Sequence, residues 1–205
     1  MTFDRVTFNL SMINDDGSVQ QASMYHVEGI DRMLSIGELV MAICLDRACE
    51  LESRIIQRMD ASAKTTRMLE SISLIEQAIV LSQEDKEESA TNVVGNTTSE
   101  LNDLLAARGY DTLDVDVVGD NWAAYLKNVV ELDSTVSLDK TSFSYKELST
   151  LTTDMSSKMD SLNSVGQEEL LELQSLTNKR DEAYNLISNV LKSLNSTLMG
   201  NANNI

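Results

Sequence analysis

From Tyr145 to Met199 the chain runs for more than fifty residues without a proline and with a single glycine, Gly166. Apolar side chains recur there every three or four positions. Leu162, Leu170, Leu173, Leu176, Ala183, Ile187, Val190, Leu194 and Leu198 fall on one stripe of a 3.5 to 3.6 residue period, which specifies a long helix that buries one face against a partner. A second stretch, about Met33 to Gln83, repeats the pattern through Ile36, Val40, Cys44, Ala48, Leu51, Ile55, Met59, Leu69, Ile72 and Ile79. Arg47, Glu50, Glu52, Arg54, Arg58 and Lys64 mostly fill its other face. At a rise of 1.5 Å per residue such a helix would be roughly 75 Å long. Two helices of matching length predict an antiparallel coiled-coil hairpin.

The whole chain of 205 residues has no proline, where average usage would supply about ten. Continuous helices exclude proline because it removes a backbone donor and clashes with the preceding turn. Aromatic residues make up only 4%, so the expected core is thin and aliphatic. The expected class is mainly α: residues 31–84 an N-terminal coiled-coil helix, 85–144 a small mixed central insert, 145–199 a C-terminal coiled-coil helix and 200–205 a tail. Residues 1–30 read either as a β-hairpin or as an export or docking arm. The hairpin reading rests on Val6, Phe8 and Leu10 alternating with polar residues, then Asn14-Asp15-Asp16-Gly17 as a turn, then Val19 to His26.

The insert opens at a charged run, Glu84 to Ser89, and an Asn- and Thr-rich segment, Asn92 to Ser99. Leu101 to Arg108 predicts a short helix closed by Gly109. Thr112 to Val118 alternates Leu113, Val115 and Val117 with aspartates, which predicts a half-buried strand. Trp122, Tyr125, Leu126 and Val129 restore helical spacing.

A formal charge of -17 argues against nucleic acid and against an anionic membrane surface. No apolar run reaches the eighteen residues of a spanning helix, and Met1 to Leu10 lacks the basic and apolar regions of a secretory signal peptide. Neither direct membrane insertion nor conventional export is expected. Cys44 and Cys49 lie about 140° apart on one helix, which disfavours a disulfide between them; both read as small apolar helix residues rather than as a metal or redox pair.

The chemistry expected of an enzyme is sparse. His26 is the single histidine, and no phosphate-binding glycine loop, nucleophile elbow or HExxH pair occurs. Neither catalysis nor a cofactor is expected. Asp111, Asp114, Asp116 and Asp120 come nearest to a metal site, but their spacing departs from the calcium-loop pattern, and the solvated edge of a strand and turn accounts for them. Asn96-Thr97-Thr98 and Asn195-Ser196-Thr197 match the glycosylation acceptor pattern by coincidence. Ten methionines suit either ordinary core packing or a helix face that exchanges partners.

Two segments carry a resemblance. Ser161-Leu162-Asn163 followed by ELLELQSLTNKRDEAYNLISNVLKSL, Glu169 to Leu194, resembles the C-terminal helix of the EspA-like filament and needle-tip proteins of type III secretion systems, with a similar short tail at Met199-Gly200-Asn201. Leu39 to Met59, including Asp46-Arg47-Ala48-Cys49-Glu50-Leu51, is similar to that group's first coiled-coil helix. The two segments cover somewhat under half of the chain; the possible hairpin before Ile30 has no counterpart in that group, and the central insert is too divergent to align. The resemblance implies a secreted structural protein at the bacterial cell surface, a homo-oligomer built as a filament or cap on the type III needle protein. Its further implied partners are translocator pore proteins and, before export, a dedicated cytoplasmic chaperone.

The residues themselves add a physical expectation. Leu170, Leu171, Leu173 and Leu176, Ile55 and Ile56, and Leu74, Ile75 and Ile79 span more helix circumference than one seam needs, which leaves apolar surface for self-association. The expected self-assembly residues are Val40, Ile43, Leu51 and Ile55 on the first helix and Leu173, Leu176, Tyr184, Ile187, Leu191 and Leu194 on the second. Arg180 and Glu182 are candidates for salt bridges between subunits. Two other readings stand beside this one: a cytoplasmic helical adaptor or secretion chaperone with an acidic surface, and a metal or small-ligand domain on the insert.

Overall fold

The structure, a computed structural model, describes the backbone of residues 7–13, 19–25 and 36–202 and the side chains of residues 37–196. The predicted turn at Asn14 to Gly17, His26 and the end of the tail lie outside the described residues. In chain order the elements are β1 (Thr7–Ile13), β2 (Val19–Tyr25), α1 (Ile36–Gln83), β3 (Val94–Gly95), α2 (Thr98–Ala107), α3 (Val115–Val118), α4 (Trp122–Asn128), β4 (Ser142–Phe143) and α5 (Tyr145–Ala202). β1 pairs antiparallel with β2 from Thr7↔Tyr25 to Ile13↔Val19. β3 pairs antiparallel with β4.

The fold is mainly helical, and the two long helices α1 and α5 pack together. By contacts the chain divides into two compact units, one of residues 1–58 and 172–205 and the other of residues 59–171. Both long helices contribute to each. We call the first the paired-helix unit and the second the insert unit.

The insert unit holds the larger core. Ile72, Ile75, Ala78 and Ile79 of α1 meet Leu148, Leu151 and Met155 of α5, and the insert closes over them with Leu101, Leu105, Trp122, Leu126 and Phe143, all essentially buried. Trp122 and Phe143 stack with centroids 5.0 Å apart at 45°, a tilted geometry suited to the ring quadrupoles. The sequence suggested a thin aliphatic core. The core is mostly aliphatic, and Trp122, Tyr125 and Phe143 of the insert add three rings to it. The same packing accounts for the wide apolar face at Leu74, Ile75 and Ile79: Ile75 and Ile79 are fully covered within this unit.

Polar side chains tie the insert's irregular backbone. Trp122 Nε1 donates to the Gly95 carbonyl at 2.9 Å, and Thr98 Oγ1 donates to the Gly119 carbonyl at 2.6 Å. The Asn102 amide pairs with both backbone groups of Leu113, accepting from its N–H at 2.7 Å and donating to its carbonyl at 3.1 Å. Buried backbone groups in loops need such partners. α5 opens with a capping box: the Glu147 N–H donates to Ser144 Oγ at 3.4 Å, and Glu147 Oε2 accepts from the Ser144 N–H at 3.0 Å.

The strand expected at Thr112 to Val118 is a correction. The segment is instead a turn of helix, α3, whose N-cap Asp114 accepts from the Asp116 N–H at 2.9 Å, with Gly119 following at φ +77°. The cap and the left-handed glycine outweigh the period-two alternation. Leu113 and Val118 are buried there while Val115 is exposed. The expected helix at Leu101 to Arg108 is present as α2, with Gly109 at φ +75° just beyond it.

Candidate self-association surface

In the paired-helix unit α1 and α5 meet along a narrow seam. Its buried apolar residues are Cys44, Ala48 and Leu51 from α1 and Leu176, Ala183 and Ile187 from α5. Three of the six are small, which brings the backbones close: a Cβ added at Gly37 would stand 2.6 Å from Leu194 Cδ2. The partners fall along α5 as they rise along α1. Tyr184 OH donates to Glu52 Oε1 at 2.7 Å, and Arg58 Nη2 meets Glu172 Oε2 at 2.9 Å. That hydrogen bond to a carboxylate raises the Tyr184 phenol pKa above its ordinary value, because a phenolate beside Glu52 would repel it.

Of the ten residues singled out for self-assembly, Leu51, Leu176 and Ile187 lie buried in this seam, so they hold the unit itself together. Val40, Ile55, Leu173 and Leu194 are half-buried along it. Ile43, Tyr184 and Leu191 stand exposed, at 44%, 39% and 48%. Sequence periodicity groups all ten on broad faces and does not separate seam from flank.

The exposed apolar set also includes Leu45 and Ile56 on α1 and Leu186 on α5, at 44%, 60% and 48%. None of these three was among the ten. Each lies off the main stripe, and that offset is the signal: an aliphatic residue one or two positions from a seam residue faces a flank. Leu186 and Leu191, five residues apart, point about 140° away from one another across the seam, and Ile43 and Leu45 about 160°.

One flank is concave. A groove of about 400 Å³ runs between the helices, walled by Val40, Ile43, Cys44 and Arg47 of α1 and by Lys179, Glu182, Ala183 and Leu186 of α5. The opposite flank carries Leu45, Ile56, Tyr184 and Leu191. Arg180, a suggested salt-bridge residue, reaches its own neighbour Asp181 at 2.9 Å, and Glu182 lies on the groove wall.

Charge divides unevenly. The insert unit, residues 59–171, has 21 Asp and Glu against 8 Lys and Arg, a formal charge of -13. The helical segments of the paired-helix unit, residues 36–58 and 172–202, have 7 against 6, a charge of -1.

Among the described residues no cluster of three or more His, Cys, Asp or Glu is arranged to hold a metal ion, and Asp114 of the aspartate group serves as a helix cap. Cys44 is buried and Cys49 exposed, both as free thiols. Among the described residues no helix is long and apolar enough to cross a membrane. Comparison of the chain with protein-family models, with curated proteins and with solved structures finds no match to any of them.

Proposed function

We propose that this chain is a self-assembling structural protein of a bacterial type III secretion system, exported and built into the filament or tip cap that extends the needle. In this reading α1 and α5 form an antiparallel coiled-coil hairpin, preceded by an N-terminal β-hairpin. The observation that carries it is the apolar surface left on both flanks of the seam, with Ile56, Leu186 and Leu191 each about half exposed or more. Such residues on a near-neutral helical pair, already about half covered, gain about 0.7 to 1.8 kcal/mol each when the rest of the side chain is buried, and a second copy supplies that burial. The resemblance of Glu169 to Leu194 and of Leu39 to Met59 to the EspA-like group supplies the secretion context. A dedicated chaperone covering the same flanks before export, and the needle and translocator proteins as neighbours after it, belong to the same proposal.

The test is sedimentation velocity of the purified full chain over a hundredfold range of concentration, with negative-stain microscopy of the same samples. Reversible growth into rods or rings is the expected result. A single monomer species throughout would overturn the assembly reading, and retention in the cytoplasm of a bacterium with a working type III apparatus would overturn the secretion reading.

A second reading, a cytoplasmic adaptor or secretion chaperone, is favoured by one observation, the -13 charge of the insert unit, which suits a basic partner. It predicts a stable complex of fixed stoichiometry with that partner and no growth of the isolated chain.

A further inference from the structure

The two flanks of the paired-helix unit differ in shape and charge, and from this we infer that copies of the chain associate head to tail, the groove of one receiving the opposite flank of the next. This rests on the assembly reading above and specifies its contact. The groove flank is a cleft of about 400 Å³ with Ile43 and Leu186 exposed on its walls. Arg47 and Lys179 stand on those walls with one acid, Glu182. The other flank presents Leu45, Ile56 and Leu191, exposed by 44% to 60%, as the side chains to fill such a cleft.

Charge fits the same pairing. At 100° per residue, Glu38 and Glu52 turn toward the Leu45 and Ile56 side of α1, where Arg180 of α5 stands near Glu52. Arg47 and Arg54 turn to the groove side together with Glu50, which leaves the groove net positive and the other flank net negative. A basic cleft facing a second basic cleft would place like charges together, which costs specificity and affinity. A basic cleft facing the more acidic flank does not. The occupant is therefore a second copy through its unlike face.

A contact between different faces leaves one free groove and one free ridge at the ends of every oligomer. It grows into an open helical polymer unless the rotation closes a ring, whereas a like-face contact would stop at a two-fold dimer. The Leu45 flank would be satisfied by this contact as fully as the groove. Neither face can be lost without stopping growth.

The experiment is complementation between two variants of the full chain, Ile43→Glu with Leu186→Glu on the groove side and Ile56→Glu with Leu191→Glu on the ridge side. All four residues are exposed, so helix content by circular dichroism should match the parent; Gln in place of Glu serves as the second set if it does not. Under conditions where the parent grows, each variant alone should sediment as a monomer. An equimolar mixture should give a species of twice the monomer mass and nothing larger, because only one intact groove meets one intact ridge. Either variant assembling alone, or a mixture that stays monomeric while the parent grows, would overturn the head-to-tail contact. A parent that never associates sinks the assembly reading itself, which separates the two failures.

Discussion

Replacing Phe143 with Ala should cost the insert unit about 4 kcal/mol. Phe143 is fully buried, and truncation of such a ring to Ala typically costs 3 to 5 kcal/mol from lost transfer free energy and a residual cavity. The tilted contact with Trp122 adds about 0.5 to 1.5 kcal/mol within that range. Collapse is hindered on the backbone side, because the Phe143 carbonyl accepts from the Val93 N–H at 2.8 Å and β4 stays tied to β3. Phe143→Leu keeps most of the volume and should cost about 1 to 2 kcal/mol. The chain has one tryptophan, and it is the neighbour of Phe143, so urea unfolding followed by Trp122 fluorescence reports this unit. With an m-value of about 2 kcal/mol/M, Phe143→Ala should lower the fluorescence midpoint by about 2 M. A loss below about 1 kcal/mol would refute the description of the insert as a packed cap on α1 and α5, since a solvent-facing ring is the simplest remaining account of so small an effect.

Glu147 is held at a pKa of about 2, below its ordinary 4.5, first by the ammonium of Lys140 and then by the Ser144 backbone. A depressed carboxylate stabilises the fold above pH 4.5 and loses that contribution as pH falls through about 2. Its side chain is 28% exposed, and solvent screening reduces the full linkage value, so Glu147→Gln should cost about 1 to 2 kcal/mol at pH 7, and the difference from the parent should vanish near pH 2 in acid denaturation curves; a gap that persists there would contradict the assignment. Gly166 lies inside α5 with nothing within 4 Å of an added Cβ, so Gly166→Ala should stabilise by about 0.5 to 1 kcal/mol in thermal melts, and destabilisation would mean the position is crowded. Ile187→Glu, in the seam, should reduce helix content, whereas Leu191→Glu, on the flank, should keep it and abolish association; equal effects on helix content would show that the two positions do not differ in burial.

The long helices were legible because nothing in their sequences interrupts them. The first was expected from about Met33 and is described from Ile36 to Gln83, and the second, expected from Tyr145 to Met199, runs to Ala202. The Ser144-Tyr145-Lys146-Glu147 box that starts α5 was equally present in the sequence as the S-x-x-E pattern but is overshadowed there by the apolar stripe. The insert was less legible. Its strand-like alternation at Leu113, Val115 and Val117 competes with an Asp cap and a left-handed glycine, and local backbone chemistry wins over so short a run. The flanking residues Leu45 and Leu186 were missed for a different reason. Periodicity ranks positions around a helix, but how much of a stripe a partner helix covers depends on side-chain size at the contact. Ala48 and Ala183 make this contact narrow, which leaves neighbouring leucines uncovered.

That narrowness bears on stability as well as on surface. The seam of the paired-helix unit buries six apolar residues, and Ala48, Ala183 and Cys44 contribute little area among them. A helix pair gains most of its stability from tertiary packing of its apolar face, so this unit has less to draw on than the insert unit, where Trp122, Phe143 and the isoleucines of α1 are fully covered. Covering Ile56, Leu186 and Leu191 with another copy would add the burial the seam lacks. Association that binds the folded form alone raises its stability by mass action. Thermal unfolding of the parent chain should therefore shift upward with protein concentration when followed by helix circular dichroism, while the combined Ile56→Glu and Leu191→Glu variant melts at one temperature regardless of concentration. A parent melt that does not move over a hundredfold dilution would mean that the exposed leucines are covered by nothing of this chain's own making.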